Sequence, residues 1–386
     1  MHILIIPSQP LLTARHPIAG IFQIHQADAL QRGGFQVGVI APGVITVRFL
    51  FRRYPYPRFE QANGYPVLRR YARSYFPLRW RQLESVVAQF RDLGETLYRS
   101  YVAAYGRPDV VHAHNIANAG FIAQAIHERH SVPYVITEHS SQYLVAHAPA
   151  ERSARMAQCA RAAGAMTAVS RTLADAVADQ LSLDEVAVLP NVVDPSIMAD
   201  PLVAGRNRER DITFLSVGAL NSNKDHASLI NAFARHFKGQ PAALRIGGTG
   251  PLRRGLGRLA RRLGVRDQVE FLGYLDRQAL LRELQAADCV VQPSLHETFG
   301  VVLIEALACG RPVIATRCGG PEDIVDESNG LLVEPGDTAA LGAAMERMAM
   351  TKGQYRPERL REDCNARFGE AAFIKNARRA YHNALR

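Results

Sequence analysis

The stretch Ser294-Leu-His-Glu-Thr-Phe-Gly-Val-Val-Leu-Ile-Glu-Ala-Leu-Ala-Cys-Gly-Arg-Pro-Val-Ile-Ala315 decides how the chain is read. Glu297 and Glu305 bracket a Phe299-Gly300 turn that opens a short helix. The helix stops at Cys309-Gly310, because glycine just past a helix end and proline soon after it are stop signals. Pro312-Val313-Ile314-Ala315 then follows as a buried strand. A helix N-terminus is thereby set at a strand's C-terminal edge, where unpaired N–H groups favour an anion such as a diphosphate. One carboxylate precedes the helix and the other lies on its second or third turn. Each is placed to accept hydrogen bonds from hydroxyl groups on either side of that anion, and the pattern suits a nucleotide sugar.

Two glutamates at a spacing of 305 − 297 = 8 are ordinarily two solvated carboxylates, and it is their surroundings that change the reading. Glu297, Phe299, Gly300, Glu305, Ala306, Ala308, Gly310, Pro312 and Val313, followed by Gly319-Gly320, resemble the E-x7-E signature of the large "family four" (group 1) retaining glycosyltransferases. The resemblance implies an α/β fold of the GT-B type, with two doubly wound Rossmann-like domains facing each other across a cleft.

Size and composition agree with that class. A chain of 386 residues exceeds a single core, so two domains are expected. With 47% hydrophobic residues and 29 glycines it is globular rather than disordered. No apolar run reaches the ~18–20 residues of a membrane span. Met1-His-Ile-Leu-Ile-Ile-Pro7 has neither a basic leader nor a small-residue cleavage site and reads as a first buried strand. Five cysteines, an odd number without CxxC spacing, argue against a disulfide framework and a zinc site, and fit a reducing cytoplasm.

Strands and helices alternate along both halves, which implies parallel sheets covered by helices. In the first half His2–Ile6, Phe35–Ile40, Asp109–His114, Pro133–Thr137, Ala165–Ser170 and Val186–Leu189 read as strands, with helices at Gly20–Gln31 and Arg171–Asp179. Pro190 to Asp211 is polar, with three prolines and a charge run, and suits a linker. The pattern restarts with strands Thr213–Val217, Ala243–Ile246, Val269–Leu272 and Cys289–Gln292, and helices Ser228–Phe237, Leu252–Leu263 and Gln278–Ala286. The expected domains are 1–195, acceptor-binding; 196–370, binding the nucleotide sugar; and a helix at 371–386 that, by the resemblance, packs back on the first domain.

The resemblance also assigns residues. Lys224, in Val217-Gly218-Ala219-Leu220-Asn221-Ser222-Asn223-Lys224, matches the family's G-x-L-x-x-x-K element and would neutralise a diphosphate leaving group. Many members carry arginine where this chain has Ala219, and Arg253 and Arg317 are candidates for the missing cation. Gly248 and Gly250 match the G-x-G-P loop, and Leu272-Gly273 the backbone that holds the base. Glu297 would hold sugar hydroxyls, Glu305 the ribose, and the Phe299-Gly300-Val301 backbone would cap the leaving group; Gly218 completes the donor set. In the first domain, Gly20 follows the first strand and would let the donor phosphate or acceptor lie against the chain. His112 and His114 alternate on a strand end; His114 matches the family's D-V-V-H-x-H element near the reacting sugar, and His112 is read as a satisfied core histidine. Glu138 and His139 are acceptor-side candidates, to orient or deprotonate a hydroxyl, beside the plainer reading of hydrogen-bonded loop residues.

The expectation is a glycosyltransferase that needs no cofactor and no metal, with the nucleoside diphosphate sugar as co-substrate. Its acceptor is a glycan or a lipid-linked glycan in polysaccharide, lipopolysaccharide or glycolipid synthesis, and no nucleic acid is expected. The rivals are a phosphorylase or other sugar-nucleotide enzyme of the same architecture, and a non-catalytic carbohydrate- or membrane-binding protein.

Much of the +10 net charge lies between Arg48 and Arg81, mixed with aromatics. Three readings stand: a solvated insertion, an anionic membrane surface, or, less supported, nucleic acid. The membrane reading adds peripheral association at the inner face of the cytoplasmic membrane. It predicts that neutralising Arg52, Arg53 and Arg58 weakens association with anionic liposomes by ~1 kcal/mol per charge, less in high salt. Flotation at low and high salt measures this, and indifference of the wild-type protein to anionic liposomes at low salt removes the membrane.

Overall fold

The computed structural model describes residues 1–8, 20–46, 59–62, 64–74, 83–146, 148–202 and 212–386. Arg52, Arg53 and Arg58 lie outside the described residues. Two compact units emerge: Met1–Val192 with Glu370–Arg386, and Val193–Gly369.

The first unit is built on strands β1 (His2–Ile6), β2 (Gln36–Thr46), β3 (Phe59–Ala62), β4 (Tyr65–Ser74), β5 (Val110–His114), β6 (Tyr134–Glu138), β7 (Ala165–Ala168) and β8 (Ala187–Val188). They lie in the order β3-β4-β2-β1-β5-β6-β7-β8, all parallel except the β3–β4 pair. Ile3 to Ile6 are 0–1% exposed, the continuous apolar run expected of a central parallel strand covered on both faces. Helix Glu370–Ala384 completes this unit. Its Phe373, Ala377, Ala380 and Tyr381 are buried in one cluster with Ile3, Ile5, Phe35 and Val135. Tyr381 carries a hydroxyl into that apolar layer and needs a partner there. His112 Nδ1 lies 2.9 Å away, and His112 Nε2 lies 2.7 Å from Thr137 Oγ1.

The second unit has strands β9 (Ile212–Val217), β10 (Ala242–Gly247), β11 (Val269–Gly273), β12 (Cys289–Gln292), β13 (Val313–Thr316) and β14 (Gly330–Val333), ordered β11-β10-β9-β12-β13-β14 and all parallel. Helix His226–Phe237 places Leu229, Ile230, Phe233 and Phe237 on one face and buries them against Phe214 of β9. In both sheets the winding direction reverses beside one strand, β1 in the first unit and β9 in the second. Loops leaving the C-terminal ends there diverge and open a crevice, where ligands bind in such folds.

The structure departs from the sequence reading in several places. The β3–β4 hairpin sits where an insertion was read, because Pro66 and the arginines of β4 hide its alternation. The start of the supposed linker is packed: Val192, Val193 and Ile197 are buried, and Asp194 caps helix Pro195–Ala199. Consequently the break falls at Val192/Val193 rather than 195/196, with the Val193 N–H bonded to Phe368 O at 2.9 Å inside the second unit. Helices Thr338–Thr351 and Pro357–Phe368 had no reading in the sequence.

Replacing Tyr381 by Phe keeps the ring but leaves a His112 nitrogen unpaired in a dry layer. The expected cost is about 1–3 kcal/mol of stability, measured as a lowered midpoint in urea unfolding followed by circular dichroism.

Candidate functional site

In the second unit the crevice beside β9 is walled by two loops, Gly218–Lys224 after β9 and Pro293–Gly300 after β12. Asn221 accepts the Lys224 N–H at 3.2 Å and so starts the turn Ser222–Lys224. Asn223 fastens the two loops: its carbonyl accepts the Leu295 N–H at 2.8 Å, its Oδ1 the His296 N–H at 3.1 Å, and its Nδ2 donates to His296 O at 3.0 Å. With the loops so held, Lys224 Nζ meets Glu297 Oε2. Gln292 Nε2, at the end of β12, donates to the same oxygen at 2.6 Å. The pair is partly open to water, with side chains 23% and 16% exposed.

A third loop closes under the second. Glu297 N–H bonds Cys318 O at 3.0 Å and Glu297 O accepts the Gly320 N–H at 2.7 Å. A Cβ at Gly320 would lie 2.2 Å from Phe299 Cα, so the backbones touch where no other residue fits. Gly300 then precedes helix Val301–Ala308 as its cap residue and, having no side chain, makes no cap hydrogen bond there. That end carries the partial positive charge of the helix toward Glu297 and Lys224.

The glycines after β9, β10 and β11 form one layer. Gly248 N–H bonds Gly273 O at 2.7 Å, Gly218 N–H bonds Gly247 O at 3.0 Å, and Leu220 N–H bonds Thr249 O at 2.9 Å. Gly248 has φ +130°, and a Cβ there would lie 1.9 Å from Gly218 O. Gly250 packs on the Leu220 backbone in the same way. Leu272 and Gly273 thus end β11 beside Gly248.

Glu305 lies on helix Val301–Ala308, is 6% exposed, and accepts from Arg277 Nη1 at 2.7 Å. Arg277 Nη2 lies 2.6 Å from Asp194 Oδ2. The two cations proposed from sequence to stand in at Ala219 are engaged elsewhere: Arg253 stacks on the Phe271 ring at 3.9 Å, and Arg317 pairs with Glu334 at 3.6 Å. Arg277, Asp194, Gln292 and Asn223 went unread. The sequence holds one clue to Arg277, an arginine at the first position of a helix, where the dipole disfavours a cation.

In the first unit, Gly20 (φ +74°) precedes helix Ile21–Arg32, whose Phe22 stacks on His139 with ring centroids 4.7 Å apart. His139 Nε2 lies 2.9 Å from His114 Nδ1, and His114 stacks on His112 with centroids 4.6 Å apart. His114 and His139 are therefore brought together at the ends of β5 and β6, with the helix that follows Gly20 placing Phe22 against His139. Among the described residues His114 Nε2 and His139 Nδ1 have no hydrogen-bond partner. Because one histidine must donate to the other, the neutral pair presents one donor and one acceptor at these outer nitrogens. Glu138 has a different task from its neighbour. Its Oε2 accepts the Ile116 N–H at 3.0 Å, and its Oε1 the N–H groups of His139 and Ser140 at 2.9 and 2.8 Å. Burial pushes its carboxyl up against the opposing pull of those N–H groups, and the side chain shapes the loop that carries His139. Burial holds His112 down at about 3 and His114 well below its ordinary value; His139 is lowered to about 3, by burial first and then by His112.

Two units of parallel α/β structure, each with polar groups at its switch point, make this a protein of the GT-B fold. Sucrose-phosphate synthase from Thermosynechococcus elongatus superposes with a TM-score of 0.78 at 22% identity, over 99% of this chain and 98% of that one. HepE of Anabaena, solved in complex with UDP, gives 0.73 at 18% identity over 99% and 100%. Residues 203–366 match the model of the glycosyl transferases group 1, and residues 20–197 that of Glycosyltransferase Family 4. An uncharacterized glycosyltransferase of Methanocaldococcus jannaschii is 28% identical over 372 residues, 88% of each protein. Together the two matches span residues 20–366 and support a group 1 glycosyltransferase, an enzyme of sugar transfer.

The buried histidines make stability depend on pH. His112 titrates near 6.5 when unfolded and near 3 when folded, so between those values only the unfolded chain takes up its proton. Its contribution is complete above about pH 6.5 and is lost as pH falls toward 3, by about 1.4 kcal/mol per pH unit. His112→Gln is expected to be less stable at pH 7 but to lose stability less steeply on acidification, by about one proton, in urea unfolding repeated from pH 7 to 4.

Proposed function

We propose that this enzyme transfers a sugar from a nucleoside diphosphate to an acceptor hydroxyl with retention of anomeric configuration, and that the acceptor is a glycan or a lipid-linked glycan. The observation that carries the proposal is the meeting of Lys224 and Glu297 on loops from β9 and β12, beside the N-terminus of helix Val301–Ala308. A donor entering there divides the pair. The diphosphate draws Lys224 and the N–H groups that follow Gly300, while Glu297, still held by Gln292, accepts hydroxyls of the sugar. Glu305 takes the ribose, and the glycine layer formed by Gly218, Gly248, Gly250 and Gly273 lets the nucleotide approach backbone directly, with Leu272 beside the base. That HepE was solved with UDP supports a nucleotide at this site.

No carboxylate in this arrangement is assigned as a nucleophile. The proposed step is front-face: the bond from anomeric carbon to diphosphate oxygen breaks, the acceptor oxygen bonds the same face, and its proton passes to the departing phosphate. His114 and His139, neutral and with open outer nitrogens, suit hydrogen bonds to uncharged hydroxyls of the sugar and acceptor. Lys224 and the helix N-terminus supply the positive charge that a metal provides in other phosphate sites, so the reaction is proposed to need neither metal nor cofactor. Because nucleotide sugars are made in the cytoplasm, the proposal sets the reaction there, at the membrane face if the acceptor is lipid-linked.

A panel of UDP-, GDP- and ADP-sugars tests the reading, first by thermal stabilisation and then by nucleotide release and product anomer, with and without EDTA. An inverted product sinks retention, loss of activity in EDTA sinks metal independence, and stabilisation by no nucleotide sugar sinks the donor. Lys224→Ala is expected to lower kcat about a hundredfold or more while the fold is kept. A change under about twofold, below ~0.5 kcal/mol of barrier, would mean that another cation holds the diphosphate.

A further inference from the structure

Arg277 stands at a position that local electrostatics disfavours. It is the first residue of helix Arg277–Ala286, whose start is fixed by Asp276 accepting the Ala279 N–H at 2.8 Å. A cation in a helix's first turn opposes the positive end of the dipole, so the reason for an arginine here is tertiary. That reason is two carboxylates from other elements: Nη1 donates to Glu305 Oε1 at 2.7 Å, and Nη2 lies 2.6 Å from Asp194 Oδ2. Asp194 is itself fixed, since its Oδ1 accepts the Ser196 N–H at 2.7 Å as cap of helix Pro195–Ala199. Glu305 is 6% exposed and Asp194 8%, so both carboxylates have left bulk water and rely on such partners.

The planar guanidinium makes this more than charge compensation. Its donors point in fixed directions in one plane, so two anchored contacts set the orientation of the carboxylate it holds. One end is hydrogen-bonded to Glu305 and the other is paired in charge with Asp194. We propose that Arg277 is a positioning residue for donor selection: it orients the Glu305 carboxylate so that this group recognises the ribose hydroxyls, and through it the enzyme distinguishes ribonucleoside from deoxyribonucleoside diphosphates. The inference rests on the reading of Glu305 as the ribose ligand. A carboxylate free to rotate still attracts hydroxyl groups, but it loses the directional preference on which rejection of a deoxy analogue depends, because such rejection comes from buried polar groups left unpaired.

The alternative role, a direct phosphate contact replacing the cation missing at Ala219, fits less well. Both ends of the guanidinium already meet carboxylates, which offset its charge, and Nη1 is hydrogen-bonded to Glu305.

Calorimetry on the full chain separates these possibilities, using whichever of UDP, GDP and ADP binds together with its 2′,3′-dideoxy form. Wild-type protein is expected to prefer the ribonucleotide by about tenfold or more, and Glu305→Ala to abolish that preference. Arg277→Gln is expected to reduce it below about threefold with affinity for the dideoxy form almost unchanged, and Arg277→Lys to keep an intermediate preference. Asp194→Asn supplies a variant that retains the helix cap, since asparagine caps as well as aspartate; it too is expected to lower the preference, and it carries the test if Arg277→Gln does not fold. Full discrimination in folded Arg277→Gln, or in both Arg277→Lys and Asp194→Asn, overturns the inference. Equal weakening toward both nucleotides overturns it in favour of a phosphate contact. If wild-type protein and Glu305→Ala show the same preference, or no nucleoside diphosphate binds wild-type protein, it is the reading of Glu305 or of the donor site that fails.

Discussion

The reversal of winding beside β9 is the constraint from which the meeting of Lys224 and Glu297 follows. β10 and β11 extend the sheet one way and β12, β13 and β14 the other, so the loops after β9 and β12 leave adjacent strand ends and diverge. Only that adjacency brings Lys224 within reach of Glu297, 73 residues away in the chain. The backbone has to cooperate. Asn223 bonds across the gap to Leu295 and His296, and Gly320 lets a third loop lie against Phe299. The crevice is thus made by topology, and its rim is fixed by hydrogen bonds between loops that belong to different strands.

Charge in the second unit is arranged in pairs that differ in exposure. Lys224 and Glu297 are partly open to water, with side chains 23% and 16% exposed, and Gln292 stays on Glu297 as a second donor. Glu305 and Asp194 are drier, with side chains 8% and 10% exposed, and leaving either of these carboxylates uncompensated would be expensive; Arg277, which joins them, is about as open as Lys224.

The first unit meets the same topology with the opposite chemistry. At the ends of β5 and β6 stand three imidazoles held neutral by burial, His112 stacked on His114 and His114 hydrogen-bonded to His139, and a glutamate whose carboxylate binds the loop backbone. Helix Glu370–Ala384 supports them from below through Tyr381 and His112. Neutral donors and acceptors suit sugar hydroxyls, whereas the charged groups of the second unit suit a diphosphate.

Much of this was legible in the chain itself. The α/β alternation, the strand Cys289–Gln292, the helix after Gly300 and its stop at Cys309-Gly310 are local patterns, written in hydrophobic period and in glycine and proline. Lys224, Glu297 and Glu305 stood out because their neighbours match a family signature. The sequence left unread what depends on partners distant in the chain. No local rule announces that Arg277 will sit between Asp194 and Glu305, that Gln292 will share an oxygen of Glu297 with Lys224, or that Glu138 will turn inward to three N–H groups. The β3–β4 hairpin and the packed start of the linker belong with these, since Val192, Val193 and Ile197 have too little periodicity to declare their burial. Local propensity and spacing determine which elements form. Side-chain pairing across strand ends is decided only when the sheet brings those ends together.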